Sequence, residues 1–336
     1  MHFHEHPHKH PHQPTMTRRH ALQLGGLGLG GLLLAACTSS STASSSTAVA
    51  QQTSTSLGAV DLGTLPGFSE FADTVKVITN GDLWLVESSG LPAHNMMVGI
   101  TSWQQQVPLA MNYTGTNAWQ LPKVPELSDT PISGKTSLFR GAIALAVNGV
   151  PIFNALNNRG DDAFLYGELD EWGGHCGRAD DYHYHVAPLH LSSVVGDAQP
   201  IAYALDGFAI YGANEPDGSA LLELDEYNGH VGADGTYHYH GTTTYPYING
   251  GLRGKVAGIS GDQIEPQPTT KPIREAGAPL AGAVITNFSS PKTNTYSLEY
   301  SQDGKTGVVE YIVSDSSVAF TFTSPTGNVS TETYAR

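Results

Sequence analysis

Six histidines recur at matched spacing in this chain. Leu169–His185 reads LDEWGGHCGRADDYHYH and Leu224–His240 reads LDEYNGHVGADGTYHYH, and the two phrases align without a gap at an offset of 55 residues. What they share is polar: Asp170/Asp225, Glu171/Glu226, Gly174/Gly229, His175/His230 and the closing Tyr-His-Tyr-His. In an extended segment alternate side chains point to opposite faces, so His183 and His185 share a face, as do His238 and His240. Residues two apart on a strand lie about 6.5–7 Å apart at Cα. Two such imidazoles can meet one ion at about 2.0–2.1 Å from each nitrogen. His175 and His230 are the candidate third ligands, with Gly174, Gly177, Gly229 and Gly232 expected to let their loops turn tightly toward the strand. Cys176 stands beside His175 where the second phrase has Val231, and a thiolate ligand favours copper or zinc over magnesium or calcium.

The pattern admits an open three-imidazole site in each repeat or a single site pooling both. A carboxylate beside an open site can act as general base on a metal-bound water whose pKa falls toward about 7. Glu171 and Glu226 are the candidates for that hydrolytic role. The contrasting expectation is a structural or interaction module whose histidines only hydrogen-bond within a β core. Tyr182, Tyr184, Tyr237 and Tyr239, on the other face, read as core aromatics with hydrogen-bonded hydroxyls. Nucleophile-elbow, phosphate-loop and dinucleotide signatures do not occur in a credible setting.

Short β elements must position these residues. Val75–Thr79 and Asp82–Val86 predict a hairpin turning at Asn80-Gly81. Ala146–Phe153 resembles Ala204–Tyr211, each with an Asn/Asp-Gly turn, which extends the duplication to 142–190 and 200–248. Two such units are expected to pack about a pseudo-two-fold axis that brings corresponding residues together. Tyr296–Ser301, Gly307–Val313 and Ser317–Ser324 alternate as strands, and no amphipathic helix of three turns is predicted. The expected fold is mainly β: an internally duplicated sandwich or barrel-like domain with long loops over 60–281, and a small C-terminal β subdomain over 282–336.

The start of the chain reads as routing. Arg18-Arg19 precede an uncharged run, Ala21–Ala36, too short to span a bilayer comfortably. The arginine pair resembles a twin-arginine export signal, and Leu34-Ala35-Ala36-Cys37 resembles a lipobox with Cys37 as the lipidated residue. Residues 1–37 are therefore expected to be an export signal and 38–59 a Ser/Thr-rich tether. The alternating His2–His12 lie on the cleaved side of Cys37. The formal net charge of −15 argues against nucleic acid and anionic lipid as partners, since both need basic patches.

Gly235-Thr236-Tyr237-His238-Tyr239-His240 with Tyr245-Pro246-Tyr247-Ile248 resembles the bacterial YHYH-domain family. So do Ser89–His94, Asn148–Pro151 and Asp206–Gly212, although Ala209 stands where the family pattern has proline. The resemblance covers Val75 to Gly258 and adds His94 as a possible site residue. The resulting expectation is an exported cell-envelope lipoprotein, anchored by Cys37, that binds copper or zinc through His175, His183, His185, His230, His238 and His240, with His94 and Cys176 as further candidates.

Overall fold

The structure is a computed structural model that describes residues 65–336. The export signal, Cys37, the 38–59 tether and the early histidines lie outside the described residues. Val75 onward is mainly β, and the one α-helix among the described residues is the single turn Ser192–Val195.

The centre of the fold is an eight-stranded sheet built from the duplication. Its strands, in chain order, are β1 (Ala142–Ala146), β2 (Pro151–Phe153), β3 (Gly174–Cys176), β4 (Tyr182–Tyr184), β5 (Ala202–Ala204), β6 (Ala209–Tyr211), β7 (Gly229–Val231) and β8 (Tyr237–His240). Their spatial order is β7-β8-β6-β5-β1-β2-β4-β3. Exchanging each strand for its repeat counterpart reverses that order onto itself, as a pseudo-two-fold requires. The axis can be located. β1 and β5 pair antiparallel with Leu145 opposite Tyr203, and these two are counterparts at the offset of 58 residues that relates β1–β2 to β5–β6. A residue paired with its own equivalent lies on the axis.

That axis corrects one expectation. It joins the repeats through β1 and β5 and leaves the histidine strands on the outside. β4 and β8 stand five strand spacings apart, about 24 Å at roughly 4.8 Å per spacing. Both histidine sets nonetheless share a face. His240 pairs with Tyr211, Ala209 with Tyr203, Tyr203 with Leu145, and Leu145 with Pro151, while Ile152 pairs with Tyr184 on the opposite side. The sheet ends at β3 and β7 without closing into a barrel.

The opposite face is the core side. Tyr182, Tyr184, Tyr237 and Tyr239 are buried there with Ile152 and Ile210, each side chain contributing about 1.5–3 kcal/mol by leaving water. Every one of the four hydroxyls is bonded: Tyr182 to Asp170 (2.8 Å), Tyr237 to Asp225 (2.9 Å), Tyr239 to Asp206 (2.6 Å), and Tyr184 to Asn148 (3.1 Å) and His94 (2.7 Å).

Around this sheet lie a three-stranded sheet (Lys76–Asn80, Leu83–Glu87, Trp119–Pro122), a pair joining Leu127–Ser133 to Gly251–Gly254, a hairpin Gly258–Ser260/Gln263–Glu265, and a C-terminal meander of five strands. The first hairpin turns one residue later than expected, because Asn80 pairs with Leu83 and Gly81, at φ 57°, takes the first central position. A positive φ there alone is the type II′ requirement that glycine meets. The C-terminal strands run Val284–Lys292, Thr295–Gln302, Lys305–Val313, Ser317–Thr323 and Val329–Ala335. They share one continuous core with the rest of the fold: Ile285 exchanges backbone bonds with Gly99 and Ile100 (2.8 and 3.1 Å), and the Tyr311 hydroxyl donates to the Pro108 carbonyl (2.5 Å).

Candidate metal centres

Each histidine set is built on one two-stranded ladder. β3 pairs antiparallel with β4, placing His175 directly opposite His183, and β7 pairs with β8, placing His230 opposite His238. His185 and His240 lie two residues further along the same face. Three imidazoles are therefore neighbours on one ladder face, where directly opposite Cβ atoms are about 4.5–5.5 Å apart.

The shared Asp of each phrase makes the preceding turn. Asp170 Oδ1 accepts from the Trp172 and Gly174 amides (3.0 and 3.1 Å), and Asp225 Oδ1 accepts from Tyr227 and Gly229 (2.8 and 3.1 Å). The left-handed residue of that turn is Gly173 (φ 82°) in one repeat and Asn228 (φ 64°) in the other. Gly177 and Gly232 each open a turn, accepting from the Asp180 and Gly235 amides (3.1 and 3.0 Å), while Gly174 and Gly229 lie in β3 and β7. All four give room. A Cβ on Gly229 would sit 2.4 Å from the Tyr237 hydroxyl, and one on Gly232 would sit 2.7 Å from the His238 ring.

In the first set, His175 Nδ1 lies 3.1 Å from the Glu168 carbonyl, His183 Nδ1 3.0 Å from the Asp181 carbonyl, and His185 Nδ1 2.5 Å from the Asn154 carbonyl. A carbonyl only accepts, so each Nδ1 carries the proton and each Nε2 presents a bare lone pair. Those lone pairs face inward, with His175 Nε2 and His185 Nε2 3.1 Å apart. Burial drives the His175 pKa well below the usual imidazole value, with the neighbouring His183 and His185 adding to it. Burial likewise lowers His185 to about 3. Phe153 stacks on His183 at 3.9 Å between centroids.

In the second set, His230 Nε2 is 3.0 Å from His238 Nε2 and 3.3 Å from His240 Nε2. His240 Nδ1 donates to the Gly212 carbonyl (2.9 Å), the counterpart of Asn154. A fourth candidate ligand joins here. Glu215 places its carboxylate oxygens 3.1, 3.4 and 3.7 Å from the Nε2 atoms of His230, His238 and His240. It is 5% exposed. Burial pushes its carboxyl up, but the Leu222 amide at 3.0 Å and the imidazoles outweigh that and leave it below the ordinary value. His240 is lowered to about 4, chiefly by burial.

Among the described residues, the ligand-bearing atoms of each group lie within 4.8 Å of one another: His175, His183 and His185 in one, Glu215, His230, His238 and His240 in the other. Nitrogens bound tetrahedrally at about 2.05 Å are separated by about 3.3 Å. The 3.0–3.3 Å separations between imidazole nitrogens match that edge.

Four candidates are not brought to either centre. His94 lies on the tyrosine side of β4, with Nδ1 2.6 Å from the Asn95 carbonyl, Nε2 2.7 Å from the Tyr184 hydroxyl, and its ring stacked on Trp172. Both nitrogens are occupied. Cys176 alternates with His175 along β3, so its side chain is buried on the other side; burial pushes its thiol well up, with Asp180, Asp181 and Asp170 adding to the shift. Glu171 and Glu226 are exposed, and in each repeat it is the preceding Asp that binds the turn amides. Neither is within either group.

Glu215 escaped the sequence reading. It lies in the loop after β6, where the repeat offset is 58 residues, whereas the histidine phrases align at 55. Aligning the loops would have found it. Glu215 and its counterpart Asn157 open the same turn, with Glu215 N bonded to Ser219 O (3.2 Å) and Asn157 N to Asp161 O (2.8 Å).

Two ladder-borne imidazole groups on one face of a duplicated sheet define a β protein with two candidate metal centres. Residues 118–222 match the family model described as YHYH protein, so this part of the chain is similar to that family. The match takes in the first histidine group and Glu215 and ends before His230, so it is shorter than the Val75–Gly258 resemblance. No curated protein and no solved structure matches the chain.

Proposed function

We propose that this protein is an exported, cell-envelope metal-binding protein holding copper or zinc at two separate histidine centres. The observation that carries the reading is the His175–His185 pair. Both Nδ1 atoms face carbonyl oxygens, so neither ring can supply an Nε2 proton to the other while neutral, and burial disfavours the imidazolium. Two lone pairs held 3.1 Å apart repel unless a cation lies between them. Imidazole donors suit zinc and copper, and carbonyls bonded to the outer nitrogens are the arrangement that fixes tautomer and ring orientation in metal sites. Export and anchoring through a lipidated Cys37 rest on the Arg18-Arg19 and Leu34–Cys37 patterns alone.

A hydrolytic role through Glu171 or Glu226 draws no support from their exposed positions. A purely structural role leaves the apposed Nε2 atoms of His175 and His185 without an account. Metal analysis of the purified protein after exposure to zinc or copper tests the reading. Two ions per chain are expected, falling to background in the His183→Ala/His238→Ala variant. No ion above background in the unaltered protein refutes it.

A further inference from the structure

The two centres differ at one ligand, and the difference has a chemical direction. Asn157 stands where the second repeat has Glu215, and it turns away: its Nδ2 donates to Glu168 Oε1 at 3.2 Å, and its Oδ1 accepts the Arg159 and Asp161 amides at 2.9 and 3.1 Å. The first group therefore offers an ion three imidazoles, while the second offers three imidazoles and a carboxylate. Three protein ligands with a free position are the arrangement of centres that bind exogenous molecules, and four close the shell.

What faces each centre differs as well. All three histidines of the first group line a cavity of about 320 Å³, at the small end of ligand pockets. Arg140, Arg159 and Arg178 line it too, and Glu168 is its one acidic wall residue. Arg159 is held by Glu168 and by Asp161 at 3.1 Å. Arg140 and Arg178 are exposed and make no ion pair among the described residues. The cavity beside the second centre, about 380 Å³, touches Glu215 and His238, carries Asp217 and Asp234, and has no Arg or Lys in its wall.

We propose that the first centre keeps an exchangeable coordination position and takes a small oxyanion there, a carboxylate or a phosphate, held at its outer end by Arg140 and Arg178. The second centre is saturated by Glu215 and excludes anions. Arginine suits this task because its fork matches both oxyanions. The inference rests on the metal reading above.

Cobalt(II) reports the coordination shell through its visible bands. The test loads it into the His238→Ala/His240→Ala variant, which retains the first centre, and into the His183→Ala/His185→Ala variant, which retains the second. Each is titrated with oxalate and with inorganic phosphate. The bands of the first centre are expected to shift saturably with at least one of the two, and whichever binds tighter identifies the oxyanion. The second centre's bands are expected to stay unchanged. In the otherwise intact chain, Arg140→Ala/Arg178→Ala is expected to weaken the anion about tenfold or more at unaltered cobalt content. Because both arginines are exposed, this variant keeps the test decisive if a histidine variant does not fold. Cobalt bound with bands insensitive to both anions, or shifting equally at both centres, overturns the inference and leaves the metal reading standing. Cobalt absent from the intact chain removes both.

Discussion

Loading the protein with zinc or copper, stripping it with a strong chelator and reloading it tests both candidate centres without changing the sequence. A ligand that binds only the folded state stabilises it by RT ln(1 + [L]/Kd), about 2.7 kcal/mol at a hundredfold excess over Kd. The described residues 65–336 lie in one compact unit, and for a domain of that size 1 kcal/mol moves the melting temperature by about 2 °C. Each centre should then contribute roughly 5 °C, and both roughly 10 °C. The geometry adds a sharper requirement. Centres about 24 Å apart, on strands separated by five spacings, lie beyond the range of roughly 7–10 Å within which effects couple. The two increments should add. Thermal unfolding of the intact chain, of His183→Ala/His185→Ala and of His238→Ala/His240→Ala, each chelated and reloaded, measures this. The reload shift should halve in each variant. Identical melting curves for the chelated and reloaded intact chain refute the two-centre account, and so does a shift that disappears entirely when either centre alone is removed.

Glu215→Gln should weaken the second centre at least tenfold in competition with a chelator and leave the first unchanged, since only the second uses that carboxylate. His94→Ala should leave metal content unaltered while lowering stability by about 1–2 kcal/mol, from the lost bond to the buried Tyr184 hydroxyl; a drop in bound metal would reinstate it as a ligand. The Asp206 carboxyl is fully buried and pushed up to about 6 by that burial, against an unfolded value near 3.8. A folded carboxyl raised in this way costs stability wherever it is ionised. The chain should therefore lose on the order of 3 kcal/mol from this group as pH rises from about 4 through 6. Asp206→Asn should flatten that slope in urea unfolding followed against pH, since Asn148 occupies the equivalent place beside Tyr184; an unchanged slope would show that another group governs it.

The histidine groups were legible because a ladder obeys a local rule. Alternation put His183 with His185 and His238 with His240, and the matched spacing picked out His175 and His230. The mainly β character followed from short alternating segments around Asn-Gly and Asp-Gly turns. His94 was misplaced for a related reason: a recurring motif marks a residue as belonging to the family's fold without saying which side of a strand it serves. Here it supports Tyr184. The same limit applied to Glu171 and Glu226, which stand exposed beside a structural Asp in a turn.

The sequence by itself determined the duplication, the strand faces and the six imidazoles, all of which depend on neighbours within a few residues along the chain. Only the tertiary structure decided how many candidate centres there are, because that depends on which strands lie at the pseudo-dyad. β1 and β5 meet there, so the histidine ladders are held apart. It also decided the fourth candidate ligand. Glu215 reaches the second group from a loop whose register differs from that of the histidine phrase, and the packing that places it there is a long-range property no local spacing encodes.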